Sequence, residues 1–133
     1  MRINGVNVIA VLVAALAMYA VGFVVYGLAF SDLWMGLSGF TDEMLAPHAW
    51  KFALSPIMPA LGAIGIALAM KWRGATGVAG GLSTGALVWL FLTFSSRLYS
   101  YVYGPEPVGL LALDSAHLLA THLVAGAILG AMK

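Results

Sequence analysis

Residues 6–30 read VNVIAVLVAALAMYAVGFVVYGLAF, an apolar run without a single charged residue. As a helix it is long enough to cross about 30 Å of hydrocarbon. Three further long apolar runs follow at 49–70, 75–95 and 108–132, and together the four occupy most of the 133 residues. Arg2 and Ala15-Leu16-Ala17 imitate a secretory signal with its small-residue cleavage site, but the run continues through Ala29. That is too far for a signal h-region, so the segment reads as a retained first span.

The charges separate by sign between the runs. Asp32, Asp42, Glu43, Glu106 and Asp114 lie around the junctions on one side, whereas Arg2, Lys71, Arg73 and Lys133 lie at the opposite ends. The excess of bases predicts that this second side is cytoplasmic, with both termini inside; Lys51 and Arg97 sit outside, among acids. The expected architecture is all-α: a single transmembrane domain over 1–133, folded as a four-helix bundle in a cell membrane.

Composition narrows the function classes. Hydrophobic residues make up 62% of the chain and charged residues 8%, with a mean hydropathy of +1.00. A water-soluble core of this size could not hide so much apolar surface. A net charge of +1 argues against a nucleic-acid partner, which requires clustered Lys and Arg. Without cysteine there is no disulfide, thiolate metal site or thiol nucleophile. No phosphate-cradling loop, HExxH zinc pair or serine-elbow motif is present.

The inner turn Lys71-Trp72-Arg73-Gly74 is short, which makes the second and third spans antiparallel neighbours. In the first outer connection Leu33, Leu37, Phe40 and Met44 recur at helical spacing, as in a helix lying in the membrane interface. Gly36 and Gly39 weaken that helix, and a broken one fits equally. In the second outer connection the alternation of Tyr99, Tyr101 and Tyr103 suggests an extended segment before Pro105 and Pro107. Most aromatic residues fall at or near the outer side, with Trp72 the clear inner exception, so the outer mouth is the expected working surface. Pro56 and Pro59 are expected to kink the second span.

The fourth span holds DSAHLLATH from Asp114 to His122. Ionisable groups inside a membrane helix are expensive and need partners. Asp114, His117 and Thr121 fall along one helical stripe. His122 is rotated about 140° from His117, so the two cannot chelate one metal from one helix. A carboxylate beside an imidazole suits a proton relay or half a metal site; a polar contact locking helices together is the plainer reading. Arg97, at the end of the third span, is placed to pair with Asp114 or Glu106. His48 at the start of the second span lies at the same outer level and would complete a metal site with Asp114 and His117, although no dense ligand spacing supports one.

Small residues form two stripes: Gly77, Gly81 and Gly85 in the third span, Gly126 and Gly130 in the fourth, with His122 beside the latter. Such stripes let helix backbones approach closely, within a bundle or between subunits.

Tyr26, Phe30 and Trp34 closing the first span with Gly39 after them, the glycine-rich third span, and the stretch from Asp114-xx-His117 to Gly126 and Gly130 resemble the bacterial family filed as domain of unknown function 1761. The resemblance covers essentially the whole chain. It implies a small four-span membrane protein with no assigned activity, and it supplies no catalytic residue. Pro56 and Pro59 depart from the family's pattern.

These readings point to a non-enzymatic accessory, scaffolding or lipid- and partner-binding subunit, as a homo-oligomer or within a larger membrane complex. The alternative is a small oligomeric transporter or channel using Asp114, His117 and Arg97; a membrane enzyme binding haem or quinone ranks third. No catalytic or metal-ligating set is assigned, and the residues identify no cofactor.

Overall fold

The computed structural model describes residues 1–3 and 5–132. Lys133, counted above among the inner bases, lies outside the described residues. The chain is all-α apart from a short N-terminal ladder in which Arg2 pairs with Asn7 and Ile3 with Val6. Asn7 then caps helix α1 (Val8–Gly22): its side-chain oxygen accepts from the backbone N–H groups of Ile9 and Ala10 at 3.1 and 3.4 Å. The helix widens into π-helical turns over Phe23–Ala29.

Helix α2 (Ser31–Ser38) follows at once and stops at Gly39, whose φ of 70° lies in the left-handed region. The helix expected over this connection is therefore broken, and its second part begins anew at α3 (Asp42–Leu45), capped by the Thr41 hydroxyl. A 3₁₀ segment, Ala46–Leu54, leads to α4 (Ile57–Trp72). The second apolar run is thus not one straight helix from residue 49: Asp42–Leu54 and Ile57–Trp72 meet at 42°. The bend falls at Ser55-Pro56. Pro59 sits in the first turn of α4, where a missing N–H has no intrahelical partner to lose, so it does not kink the helix.

Helix α5 (Gly77–Val88) passes through π-helical turns at Trp89–Phe94 into α6 (Ser95–Tyr103) without a break. The segment read as extended is therefore helical. Tyr99 and Tyr103, which look alternating in sequence, are also four residues apart, and their rings lie 5.9 Å apart on one helix face. The helix ends at Gly104, ahead of Pro105, and α7 (Val108–Ala131) starts directly after Pro107.

Helix α7 is central, with α1, α4 and α5 all packed on it. Its closest neighbour is α5, and the reason is the two glycine stripes. A Cβ on Gly81 would fall on the Gly126 carbonyl, one on Gly126 on the Gly81 carbonyl, one on Gly130 on the Gly77 carbonyl, and one on Gly85 on the His122 carbonyl. Helix backbones in contact at this range leave no room for side chains. The remaining core packs alanines against larger apolar side chains: Ala10, Ala14 and Met18 from α1, Ala63, Ile66 and Met70 from α4, Ala125 and Leu129 from α7. Where lipid surrounds helices, apolar burial gives little drive and such close packing carries the association.

The Asn7 side-chain amide donates to the Met132 carbonyl at 2.7 Å, so the start of α1 and the end of α7 lie at the same end of the molecule. At that end Arg73, in the α4–α5 turn, donates to the buried Thr84 hydroxyl at 2.6 Å. Large apolar side chains face outward along the long helices: Leu12, Leu16 and Leu28, Met58 and Leu61, Leu90, Phe91 and Leu92. Three helices, Val8–Ala29, Gly77–Tyr103 and Val108–Ala131, are long and apolar enough to cross a membrane, and the bent pair would make a fourth. These features suggest a membrane protein.

Candidate functional site

One cluster of ionisable groups forms at the end of the molecule opposite Asn7. Arg97 stands two residues into α6, Glu106 in the proline-flanked turn, and Asp114 in the second turn of α7. One guanidinium nitrogen of Arg97, Nη2, donates to Glu106 Oε1 and forms an ion pair with Asp114 Oδ2 at 3.0 Å. All three side chains are largely withdrawn from the surface, at 22%, 12% and 17% exposure for Arg97, Glu106 and Asp114. One cation therefore serves two carboxylates.

The other Asp114 oxygen is taken by α1. Tyr26 Oη donates to Asp114 Oδ1 at 2.6 Å. Tyr26 belongs to the π-helical turns, which rotate its side chain relative to a continuous α-helix and aim it at α7. Its ring meets His117 edge-on at 4.7 Å and Trp34 at 5.9 Å, and Trp34 in turn lies 5.7 Å from Phe40. An aromatic chain thus runs from the α2–α3 connection to His117. Both ring nitrogens of His117 are buried with no hydrogen-bond partner among the described residues, as are Arg97 Nε and Ser115 Oγ.

A second polar set lies one to two turns deeper on α7. His122 Nδ1 contacts the Leu118 carbonyl at 2.7 Å, and its Nε2 contacts the Thr93 hydroxyl at 3.0 Å. A carbonyl only accepts, so Nδ1 carries the proton, and in the neutral ring Nε2 accepts from Thr93. Thr121 donates to the same Leu118 carbonyl at 2.8 Å. Trp89 Nε1 donates to the Ser115 carbonyl at 3.0 Å. Thr93 and Trp89 both come from the second π-helical segment, so each π-turn places a polar side chain against α7.

Of the residues singled out in the sequence, Arg97 and Asp114 are joined directly, and Glu106 joins as well rather than instead. His117 lies beside them through Tyr26. Thr121 is turned toward its own helix backbone and His122. His48 is exposed on the 3₁₀ segment, and no hydrogen bond or ion pair ties it to the cluster among the described residues. No three His, Asp or Glu side chains among the described residues are grouped to hold a metal ion. Sequence reasoning passed over Tyr26, Thr93 and Trp89 as site members. The signal for Tyr26 was its hydroxyl within an otherwise apolar run, which needs a buried acceptor.

A further feature adjoins this cluster. Between α2 and the Gly104–Pro107 turn lies an open cleft of about 490 Å³ with Glu106 in its wall.

No curated protein and no solved structure matches the chain. A family model does, over residues 9–130, and the chain belongs to that family, described as protein of unknown function (DUF1761).

Proposed function

We propose that this is a multi-pass protein of the bacterial inner membrane, crossing four times with both termini cytoplasmic. In this reading it works without catalysis, as an accessory or scaffolding subunit that binds lipid or a partner through its outer aromatic surface, alone as a homo-oligomer or within a larger complex. The observation carrying the reading is that most of its intramembrane polar groups are spent on one another, with the His117 ring the main exception. Arg97 holds Glu106 and Asp114, Tyr26 holds the second Asp114 oxygen, and both nitrogens of His122 are engaged. Groups so occupied join helices rather than line an open path. The outer connections and the adjoining helix end meanwhile expose Phe40, Trp50, Phe52, Tyr99 and Tyr103.

The absence of cysteine makes the test direct. Single cysteines at residues 42 and 73, probed on intact cells with a membrane-impermeant maleimide, are expected to label at 42 and to be protected at 73. The reverse pattern overturns the orientation. A photo-crosslinking residue at position 50 is expected to give a discrete lipid or protein adduct in the membrane.

One observation favours a second reading, a small oligomeric transporter or channel lined by Asp114, His117 and Arg97: the two partnerless ring nitrogens of His117. Proteoliposomes that pass protons or ions, and lose the flux with His117→Phe, would replace the accessory role with transport.

A further inference from the structure

An open cleft lies beside the ion-pair cluster. Its apolar lining comes from Leu37, Phe40 and Leu110, and its polar wall from Ser100 and Glu106. A volume of about 490 Å³ falls in the range of ligand sites. Gly36 lines it too and has no packing reason to be glycine. Gly36 lies within α2 without a positive φ, and a Cβ there would meet nothing within 4 Å. Gly39 and Gly104, by contrast, are explained by the left-handed turn and by crowding on the Ser100 carbonyl. Glycine in a helix is unfavourable, so its effect at 36 is to leave the cleft unfilled.

Charge says what fits. Arg97 is the one cation shared by Glu106 and Asp114, so with both carboxylates ionised the cluster carries an uncompensated negative charge in a partly desolvated place. Glu106 brings that charge to the cleft wall. Asp32, Asp42 and Glu43 add to the same sign on the connections at this side, against Lys51 alone outside the cluster. An anionic head would be repelled here; an ammonium head would complete the charge balance while its tail lies along Leu37, Phe40 and Leu110.

We propose that the cleft between α2 and the Gly104–Pro107 turn binds a cationic amphiphile of the outer leaflet, an ammonium head at Glu106 with an apolar tail. The inference rests on the membrane reading above.

The test places the full chain in phosphatidylcholine nanodiscs and adds twelve-carbon amphiphiles with a nitroxide in the tail and an ammonium, hydroxyl or carboxylate head. Quenching of Trp34, which packs on Phe40, is read as the difference between the unaltered chain and Trp34→Phe. Trp50, read likewise with Trp50→Phe, reports general enrichment near the protein. The ammonium compound is expected to quench Trp34 about three- to fivefold more than the alcohol at equal mole fraction, the worth of one part-exposed ion pair. Trp50 should show a smaller preference. Glu106→Gln should level the head-group preference, and Gly36→Leu should remove Trp34 quenching while leaving the ion pairs intact.

Equal quenching by ammonium and alcohol, stronger quenching by the carboxylate, or a preference that survives Gly36→Leu overturns the proposal. So does a dimer that shields Trp34 from all three, which would make the cleft a contact between copies. Where Glu106→Gln fails to fold, Gly36→Leu and the head-group series decide alone. A chain that does not enter nanodiscs at all refutes the membrane reading instead, and the two failures are distinct.

Discussion

Replacing Asp114 by Asn removes one of the two carboxylates that Arg97 holds, and its cost can be worked from the geometry. Asparagine keeps an oxygen to accept from Tyr26, so that bond survives in weaker form. That oxygen cannot also face Arg97, so the amide NH2 takes the Oδ2 position and the ion pair at 3.0 Å is lost. The loss is about 1–1.5 kcal/mol, the worth of one ion pair in a partly withdrawn place. Arg97 does not become an unpaired buried cation, because Glu106 still holds it. Glu106→Gln should cost no more, about 1–1.5 kcal/mol, because the glutamine oxygen still accepts from Arg97 in a weaker, neutral bond. The double change Asp114→Asn with Glu106→Gln strands Arg97 at 22% exposure, and the expected cost rises to about 3–5 kcal/mol, more than the singles together. Adding Arg97→Gln to that double should restore much of the loss. The assay is equilibrium unfolding in mixed micelles followed by circular dichroism, with the four chains closing a double-mutant cycle. If the two single costs add to the double within about 0.5 kcal/mol, the carboxylates act independently and the shared-cation account is wrong.

Gly81→Ala should destabilise the chain by about 1–3 kcal/mol or more, because the new methyl lands on the Gly126 carbonyl, whereas Gly65→Ala, with nothing within 4 Å, should leave the melting temperature at or above its starting value. Tyr26→Phe keeps the ring against His117 but leaves Asp114 Oδ1 without its donor, for an expected loss of about 1–3 kcal/mol by the same unfolding assay. Thr93→Val should cost about 1–3 kcal/mol by stranding His122 Nε2, and Thr93→Ser, which keeps the hydroxyl, should recover most of it.

Most of the helical layout is legible because it is local. Apolar length, the Gly39 and Gly104 stops, and the prolines at 56 and 107 act within a few residues of themselves. The family, too, is readable from aromatic and glycine spacing, and its model covers residues 9–130. The glycine stripes could be seen at 77, 81, 85, 126 and 130, but their mutual contact is a property of two helices, and composition does not say which faces meet.

Local reasoning misled where two periods coincide. Tyr99, Tyr101 and Tyr103 satisfy a strand's alternation, yet Tyr99 and Tyr103 equally satisfy a helix, and continuity with α5 settles the matter. Arg97 offered two acceptors along the chain and takes both, because the Pro105–Pro107 turn and the start of α7 bring them to one nitrogen. His48, expected beside Asp114, is exposed and makes no hydrogen bond or ion pair with the cluster among the described residues. Tyr26, Trp89 and Thr93 reach α7 only because π-helical turns rotate them toward it. A side chain's direction around its helix accumulates from every turn before it, and its partner depends on how two helices are rotated against each other. Sequence therefore determined most of the helical segments, with the ends at residues 49–56 and 96–103 misread; only the tertiary structure decided which polar groups meet.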